Sequence, residues 1–344
     1  MPRGKRENFV AGIPVLRKDK RRAWIEARER LTKTGTDRKV CVQRPTLLRG
    51  GIVEWLAVGL LAVLQVMGNA ALGQSTPAGE VEAAASPLSV DPVVWVKAAV
   101  VNELASLHYK GSFLRYRMHL VDDKGDKVRD VIESKDGSVA RLILRDGKPL
   151  TEEQDNGEHQ RLNEMLASPS AYAKHVKSDE SGIKIADTLI RLMPEAMLYT
   201  YVPGQPQTGK NPGMIEVVLD YEPNPKFSPP TTTAEALTGL KGRVWIDTKT
   251  KYVVRMEGTI FRGINFGWGM LAHIYPGGKL TIEQTDAGGG RWIFTNFTEQ
   301  LSVRALMVKT LNVKSNVEAS EFKPVSEMSY QDAIHVLLNT PLPK

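Results

Sequence analysis

Hydrophobic and polar positions alternate strictly over residues 113–121 (FLRYRMHLV). The even positions are large and apolar: Leu114, Tyr116, Met118 and Leu120. The positions between them are basic: Arg115, Arg117 and His119. A period of two places these two sets on opposite faces of a strand, so the segment predicts a strand with one buried face and one solvated face.

Two further strands follow this one after short turns. Residues 122–125 (DDKG) and 136–137 (DG) carry turn-forming sequences. Residues 127–132, between the two turns, and residues 139–145, after the second turn, are strand-like. In the last of these, Leu142 and Leu144 share the inward parity. Three strands joined by such turns are typical of an antiparallel meander.

Helical patterns precede and follow the meander. Asp91 is a good N-cap with Pro92 at the first helical position, and the next 15 residues are apolar nearly all round, which predicts a largely buried helix. Thr151 and Gln154 resemble a capping box that starts a polar helix over residues 152–166. A Ser-Pro-Ser break follows, and from Ile183 onward apolar residues at helical spacing predict a second amphipathic helix that packs on the sheet.

The second half of the chain is dominated by strand patterns. Residues 242–247 (GRVWID) and 252–262 (YVVRMEGTIFR) predict a hairpin with Trp245 and Arg255 on one face. The opposite, inward face would carry Val244, Ile246, Val254, Met256 and Ile260. Other strand-like segments are residues 214–220, 280–284, 292–297, 301–307 and 310–317. A last helix or turn is predicted over residues 327–338.

This order of elements predicts an α+β fold. Because a sheet of about ten antiparallel strands tends to curl or close, we expect an incomplete, strongly curved antiparallel β-barrel that covers the inserted α-helices. That domain would span residues 91–326, with residues 327–344 as a C-terminal helix or tail.

The segment before the first helix has the pattern of an export signal. Residues 51–73 join an apolar core to small residues that a signal peptidase reads, which predicts cleavage after Gly73; an uncleaved membrane anchor is the alternative. Residues 1–50 are a basic lead, either disordered or added by a mis-assigned start, and residues 74–90 predict a linker. Either outcome places the folded part outside the cytoplasm, in the periplasm or secreted.

This assignment changes the meaning of the net charge of +7. Residues 1–73 hold 15 Lys and Arg residues against 6 Asp and Glu, a net charge of +9, so the remainder carries −2. The basic balance therefore gives no support for nucleic-acid binding. The single cysteine, Cys41, lies in the basic lead, which excludes disulfides and thiolate chemistry from the exported part.

The sequence offers no motif for catalysis, a metal or a cofactor. The six histidines lack metal-ligand spacing, no G-x-S-x-G elbow occurs, and the glycine run 288–290 does not lead from a strand into a helix. The acidic turn at residues 122–126 resembles part of a calcium loop, but Lys127 stands where the loop needs glycine. We expect a non-enzymatic protein without cofactors.

The inward-facing set has two interpretations, a filled core or the lining of a cavity for an apolar ligand. Methionines suit adaptable apolar pockets. The candidate lining residues are Leu114, Tyr116, Met118, Leu120, Leu142, Leu144, Val244, Ile246, Val254, Met256 and Ile260.

The element order and the hairpin sequence G-R-V-W-I-D-T-K-T-K-Y-V-V-R-M-E at residues 242–257 resemble the periplasmic LolA/LolB/RseB superfamily. The resemblance covers most of residues 91–318, and the hairpin is its most specific motif. It implies a half-barrel with a hydrophobic cavity for acyl chains, and a role in lipoprotein sorting or envelope sensing. The chain departs from LolB in lacking a lipobox, and no functional residue is carried over.

We therefore expect a periplasmic or envelope carrier or sensor that binds a lipid or lipoprotein acyl chain, acts as a monomer and contacts membranes only transiently or through its signal segment. An envelope protein partner is compatible with this function. Two other classes remain open: a secreted hydrolase with a dispersed site and an envelope protein–protein interaction module.

Overall fold

The computed structural model describes residues 87–108, 111–209, 213–267, 271–305 and 309–343. The predicted basic lead, the signal segment and most of the linker lie outside these residues; the linker's last part, Pro87–Ser89, forms a 3₁₀ turn. In the described part of the chain, no helix is both long and apolar enough to cross a membrane.

Four α-helices are present in these ranges. They are α1 (Pro92–Leu107), α2 (Glu152–Ala167), α3 (Pro169–Ala196) and α4 (Tyr330–Asn339). The predicted caps are confirmed: the Asp91 side chain accepts from the Val93 amide, and Thr151 and Gln154 form a reciprocal capping box. The amphipathic helix is longer than predicted: it begins at Pro169, inside the predicted Ser-Pro-Ser break, and not near Ile183.

Helix α1 is less buried than its composition predicts. Trp95, Val96 and Ala99 are buried, but Val94 and Val101 are 51% and 66% exposed. A helix that packs on one side can bury only one stripe, however apolar its other face is.

The strands form one large antiparallel sheet. Their bounds are β1 (Phe113–Asp122), β2 (Gly125–Ser134), β3 (Gly137–Arg145), β4 (Lys148–Pro149), β5 (Met197–Tyr201), β6 (Gln207–Thr208), β7 (Ile215–Pro223), β8 (Leu240–Asp247), β9 (Val253–Ile260), β10 (Ile264–Phe266), β11 (Ala272–Ile274), β12 (Lys279–Asp286), β13 (Trp292–Ala305) and β14 (Lys309–Val325). A 3₁₀ segment, Thr233–Thr238, occupies the loop before β8.

In the part of the chain that the structure describes, the sheet has 14 strands in the order β4-β3-β2-β1-β14-β13-β12-β9-β8-β7-β5, with β10, β11 and β6 paired beside this path. Its path runs from β4 at one end to β5 at the other, so the sheet is open. The protein is therefore α+β with a large antiparallel sheet, as predicted. The expected number of about ten strands was too low, because short strands such as β4, β6, β10 and β11 leave little periodic signal.

Pairing between β1 and β14 joins the N-terminal meander to the C-terminal strands. The meander β1-β2-β3 and the hairpin β8-β9 have the predicted antiparallel pairing. The segments 292–297 and 301–307 were predicted as separate strands, but a single strand, β13, runs through Trp292–Ala305.

Within the described residues, three apolar clusters hold the fold together. The largest lies between β7, β8, β9, β13 and the helices α1 and α3, and we call it the main cluster. The second, the β1 cluster, contains Leu114, Tyr116 and Met118 together with residues of β13 and β14. The third packs α2, α3 and α4 against β2 and β3.

Buried Arg141 on β3 fixes the C-terminal helix to the sheet. Its guanidinium donates to the carbonyl oxygens of Leu337 at 2.6 Å and Thr340 at 2.7 Å, and to the Asp155 carboxylate at 2.7 Å. The Leu337 carbonyl also accepts from the Thr340 amide at 3.2 Å, so this arginine adds a buried, charged donor to the carbonyls at the end of the helix.

Candidate functional site

The main cluster contains an apolar cavity of about 200 Å³. It lies between the inner face of strands β8, β9, β12 and β13 and the helices α1 and α3. Helix α1 contributes Val96, Ala99 and Val100, and α3 contributes Leu189 and Met193. The cavity is larger than the roughly 150 Å³ apolar cavity that admits benzene, and smaller than the 300 Å³ or more typical of drug-sized sites.

Several large apolar side chains at the cavity retain accessible surface. Met256, Leu280 and Ile282 are only half-buried, although they belong to inner strands and point toward the helices. In a core packed to normal density such residues would be in contact with protein atoms on all sides. Their remaining accessible surface faces the cavity, so this part of the interior is not filled.

The residues predicted to face inward lie in more than one part of the structure. Four of its members line the cavity: Val244, Ile246, Met256 and Ile260. Four others belong to the neighbouring β1 cluster: Leu114, Tyr116, Met118 and Leu120, the last half-buried. The two sets meet, because Ile190, Ile282 and Phe297 line the cavity and also pack in or against the β1 cluster.

The other three predicted residues do not line the cavity. Leu142 is buried and Leu144 half-buried, but a register shift at this point of the β2–β3 pairing leaves Ile143 unpaired and interrupts the alternation. The Val254 prediction is also wrong. A register shift between Trp245 and Ile246 places Val254 and Arg255 together opposite Trp245, and Val253 lines the cavity instead.

The opposite face of the hairpin carries Trp245 and Arg255, as predicted, in a shallow groove that also contains Val254. The guanidinium carbons of Arg243 and Arg255 lie 6.0 and 5.5 Å from the Trp245 ring centre. Arg255 also pairs with Glu283 at 2.7 Å and with Glu257. The two glutamates balance the charge of Arg255, Asp220 pairs with Arg243 at 2.6 Å, and both guanidinium groups lie near the tryptophan ring.

Two polar side chains interrupt the apolar lining at one place. Glu103 of α1 accepts a hydrogen bond from the Val253 amide at 3.0 Å and another from Gln284 Nε2 at 3.0 Å. Both side chains are almost fully buried, at 5% and 6% exposure. Burial raises the pKa of Glu103 to about 7, while the two hydrogen bonds oppose that rise.

A second buried carboxyl lies on the inner parity of β13. Glu299 is between Phe297 and Leu301, both of which line the cavity, and it accepts from Ser315 Oγ at 3.0 Å. Burial raises the pKa of Glu299 to about 7. Its other oxygen, Oε2, has no hydrogen-bond partner among the described residues.

Sequence reasoning missed Glu103 and Gln284, although a signal for each existed. Glu103 follows Val96 and Ala99 at the spacing of one helix face, and Gln284 follows Leu280 and Ile282 at strand parity. Each is thus a polar residue on an apolar stripe, which is informative because such groups are seldom buried without a partner.

No group of three or more His, Cys, Asp or Glu side chains suited to hold a metal ion occurs within the described ranges. Comparisons with protein-family models, with curated proteins and with solved structures found no match for this chain.

Proposed function

We propose that this protein is a non-catalytic carrier or sensor that binds an apolar ligand, such as a lipid or lipoprotein acyl chain, in the cavity of the main cluster. The observation that carries the proposal is the cavity itself: about 200 Å³ of space bounded by 25 residues, of which Glu103 and Gln284 are the ones with charged or amide side chains. An apolar lining of this kind favours apolar guests.

The size of the cavity limits the part of a ligand that it holds. Scaling from the 150 Å³ that accepts benzene gives room for roughly eight non-hydrogen atoms. That is one segment of a single alkyl chain. A carrier that holds one such segment buries the part of a lipid that is least soluble in water.

The proposal also includes a relationship to LolA-like proteins and a location in the cell envelope. The order of helices and strands and the β8–β9 hairpin support a relationship to LolA-like half-barrels, in which a curved sheet covers inserted helices. The apolar segment at residues 51–73 supports export to the periplasm or beyond. Both are consistent with a carrier that works in the cell envelope, as a monomer.

Native mass spectrometry of the exported protein, purified gently and without detergent, tests the function. We expect an additional mass from a co-purified lipid, which extraction with solvent then removes and identifies. Protein that is free of ligand but turns over esters or glycosides would support the hydrolase class instead. Protein with neither property, and with no affinity for added alkyl probes, would support an interaction module.

A further inference from the structure

Hydrogen-bonding capacity remains unused at the polar end of the cavity. Gln284 donates from Nε2 to Glu103, but its carbonyl oxygen Oε1 is buried and has no partner among the residues described. A buried amide oxygen without a partner is unusual in a folded protein, because its loss of water is not repaid. Because Gln284 also lines the cavity, a bound molecule can supply the missing partner.

The unused groups are acceptors. Above its pKa of about 7, as at pH 8, the Glu103 side chain is a carboxylate with about four lone-pair sites, and its two hydrogen bonds use one at each oxygen. The free amide oxygen of Gln284 is likewise an acceptor only. A ligand that satisfies these free acceptors must therefore carry a hydrogen-bond donor at the end of its alkyl chain.

The charge of the ligand's head group also affects how well it can bind beside Glu103 and Gln284. An ionised carboxylate on the ligand would meet the buried Glu103 carboxyl, which has a pKa of about 7, in apolar surroundings. An ammonium group would lose its hydration in the same apolar space, and one partner seldom repays that loss. A hydroxyl group donates one hydrogen bond and has the smallest cost of burial of the three.

We infer that Glu103 and Gln284 recognise a hydroxyl group, so that the cavity selects single-chain aliphatic alcohols, or lipids that present a hydroxyl on a single chain. This inference rests on the proposed function, since it assigns the head group of the molecule whose chain fills the cavity.

Matched eight-carbon probes test the inference on the full exported chain. Octan-1-ol and 1-fluorooctane have nearly the same shape, but only the alcohol donates. Their affinities at pH 8 are measured by protein-detected NMR titration for the wild type and for Gln284→Met, which keeps the length of the side chain and removes the amide. We expect the ratio of alcohol affinity to fluoroalkane affinity to fall roughly tenfold in the variant.

Two controls accompany this pair. Gln300→Met makes the same side-chain change at an exposed position of β13 that does not line the cavity, so the affinities for both probes should stay as in the wild type. If Gln284→Met does not fold, Glu103→Met removes the partner on helix α1 and should lower the same ratio. Unfolding midpoints of each variant establish that it is folded.

The outcomes separate the inference from the proposed function. If neither probe binds the wild type, the cavity does not serve as a ligand site and the proposed function fails. If both bind but the ratio is unchanged in the variants, the function stands and the hydroxyl assignment is wrong. Tighter binding of octanoate or octylammonium than of octan-1-ol at pH 8 also overturns the assignment.

Discussion

At the scale of single residues, the most consequential feature is the burial of two carboxyl groups in apolar surroundings. Glu103 and Glu299 both have a pKa raised to about 7 by burial. Neither is paired with a cationic side chain in the contacts described above. By contrast, buried Glu133 forms an ion pair with Arg291 at 2.7 Å. The unpaired carboxyls therefore make the stability of the fold depend on pH.

The direction of this dependence follows from proton linkage. Between about pH 4.5 and pH 7 the native state binds more protons at these two sites than the unfolded chain, so stability falls as the pH rises through this window and stays low above it. Glu103→Gln or Glu299→Gln removes one such contribution. We expect each to raise the free energy of unfolding by roughly 3 kcal/mol at pH 8 and by little at pH 5.

Urea denaturation of each variant from pH 5 to pH 8 measures this difference. Glu180→Gln, on the exposed side of α3, is the matched control and should give the same small change at every pH. A stabilisation of the Glu103 or Glu299 variant that is equal at pH 5 and pH 8 would mean that the carboxyl is not neutral in the native state.

At the scale of elements, the alternation of β13 decides which residues reach the interior. Phe297, Leu301 and Val303 are buried on one face, while Thr298 and Gln300 are exposed on the other. Alternation is interrupted where a strand carries an extra residue, as at Val254 in β9 and Ile143 in β3. Faces can thus be assigned from sequence within a regular strand, but not across a bulge.

Two adjacent substitutions in β13 test this facing. Leu301→Asp places a carboxylate in the apolar interior and should lower the free energy of unfolding by several kcal/mol. Gln300→Asp lies opposite Lys279 and Lys314, so its cost should stay within about 0.5 kcal/mol. Denaturation midpoints measure the loss of stability in both variants. Equal losses would show that the face assignment of β13 is wrong.

The 3₁₀ segment before β8 offers a test of whether the cavity is empty. Ala236 is half-buried and lines the cavity, whereas Ala234 is fully buried and does not. Ala236→Leu should fill part of the space, weaken the binding of octan-1-ol at least tenfold and leave stability nearly unchanged. Ala234→Leu should overpack its site and cost roughly 1–3 kcal/mol.

For both leucine variants, calorimetric titration measures the affinity for octan-1-ol and thermal unfolding measures the stability. Similar destabilisation by the two substitutions would indicate a core without usable space near Ala236, and would count against the carrier function.

At the scale of the whole molecule, the C-terminal helix α4 completes the third apolar cluster and is held by Arg141, which is 3% exposed. Arg141→Met would leave the Leu337 and Thr340 carbonyls and the Asp155 carboxylate without this donor, and should cost about 3–5 kcal/mol. Arg145→Met, at the exposed end of the same strand, should be nearly neutral. Urea unfolding compares the two, and an equal effect would show that α4 is held by its apolar face alone.

Much of the fold could be predicted because local physical chemistry decides it. The caps at Asp91 and Thr151, the meander and the Trp245–Arg255 face follow from hydrogen bonding at helix ends and from the period of two along strands. The short strands and the unbroken β13 could not be predicted, because their pairing depends on neighbours that are distant in sequence.

The candidate site divides in the same way. The sequence by itself determined that Val244, Ile246, Met256 and Ile260 face inward, because alternation is a property of the strand. Only the tertiary structure decided that they line an unfilled space, since empty volume depends on how closely helices α1 and α3 approach the sheet. It also brought Glu103 and Gln284, 181 positions apart in the chain, within 3.0 Å, because side-chain contacts between separate elements form only when those elements pack together.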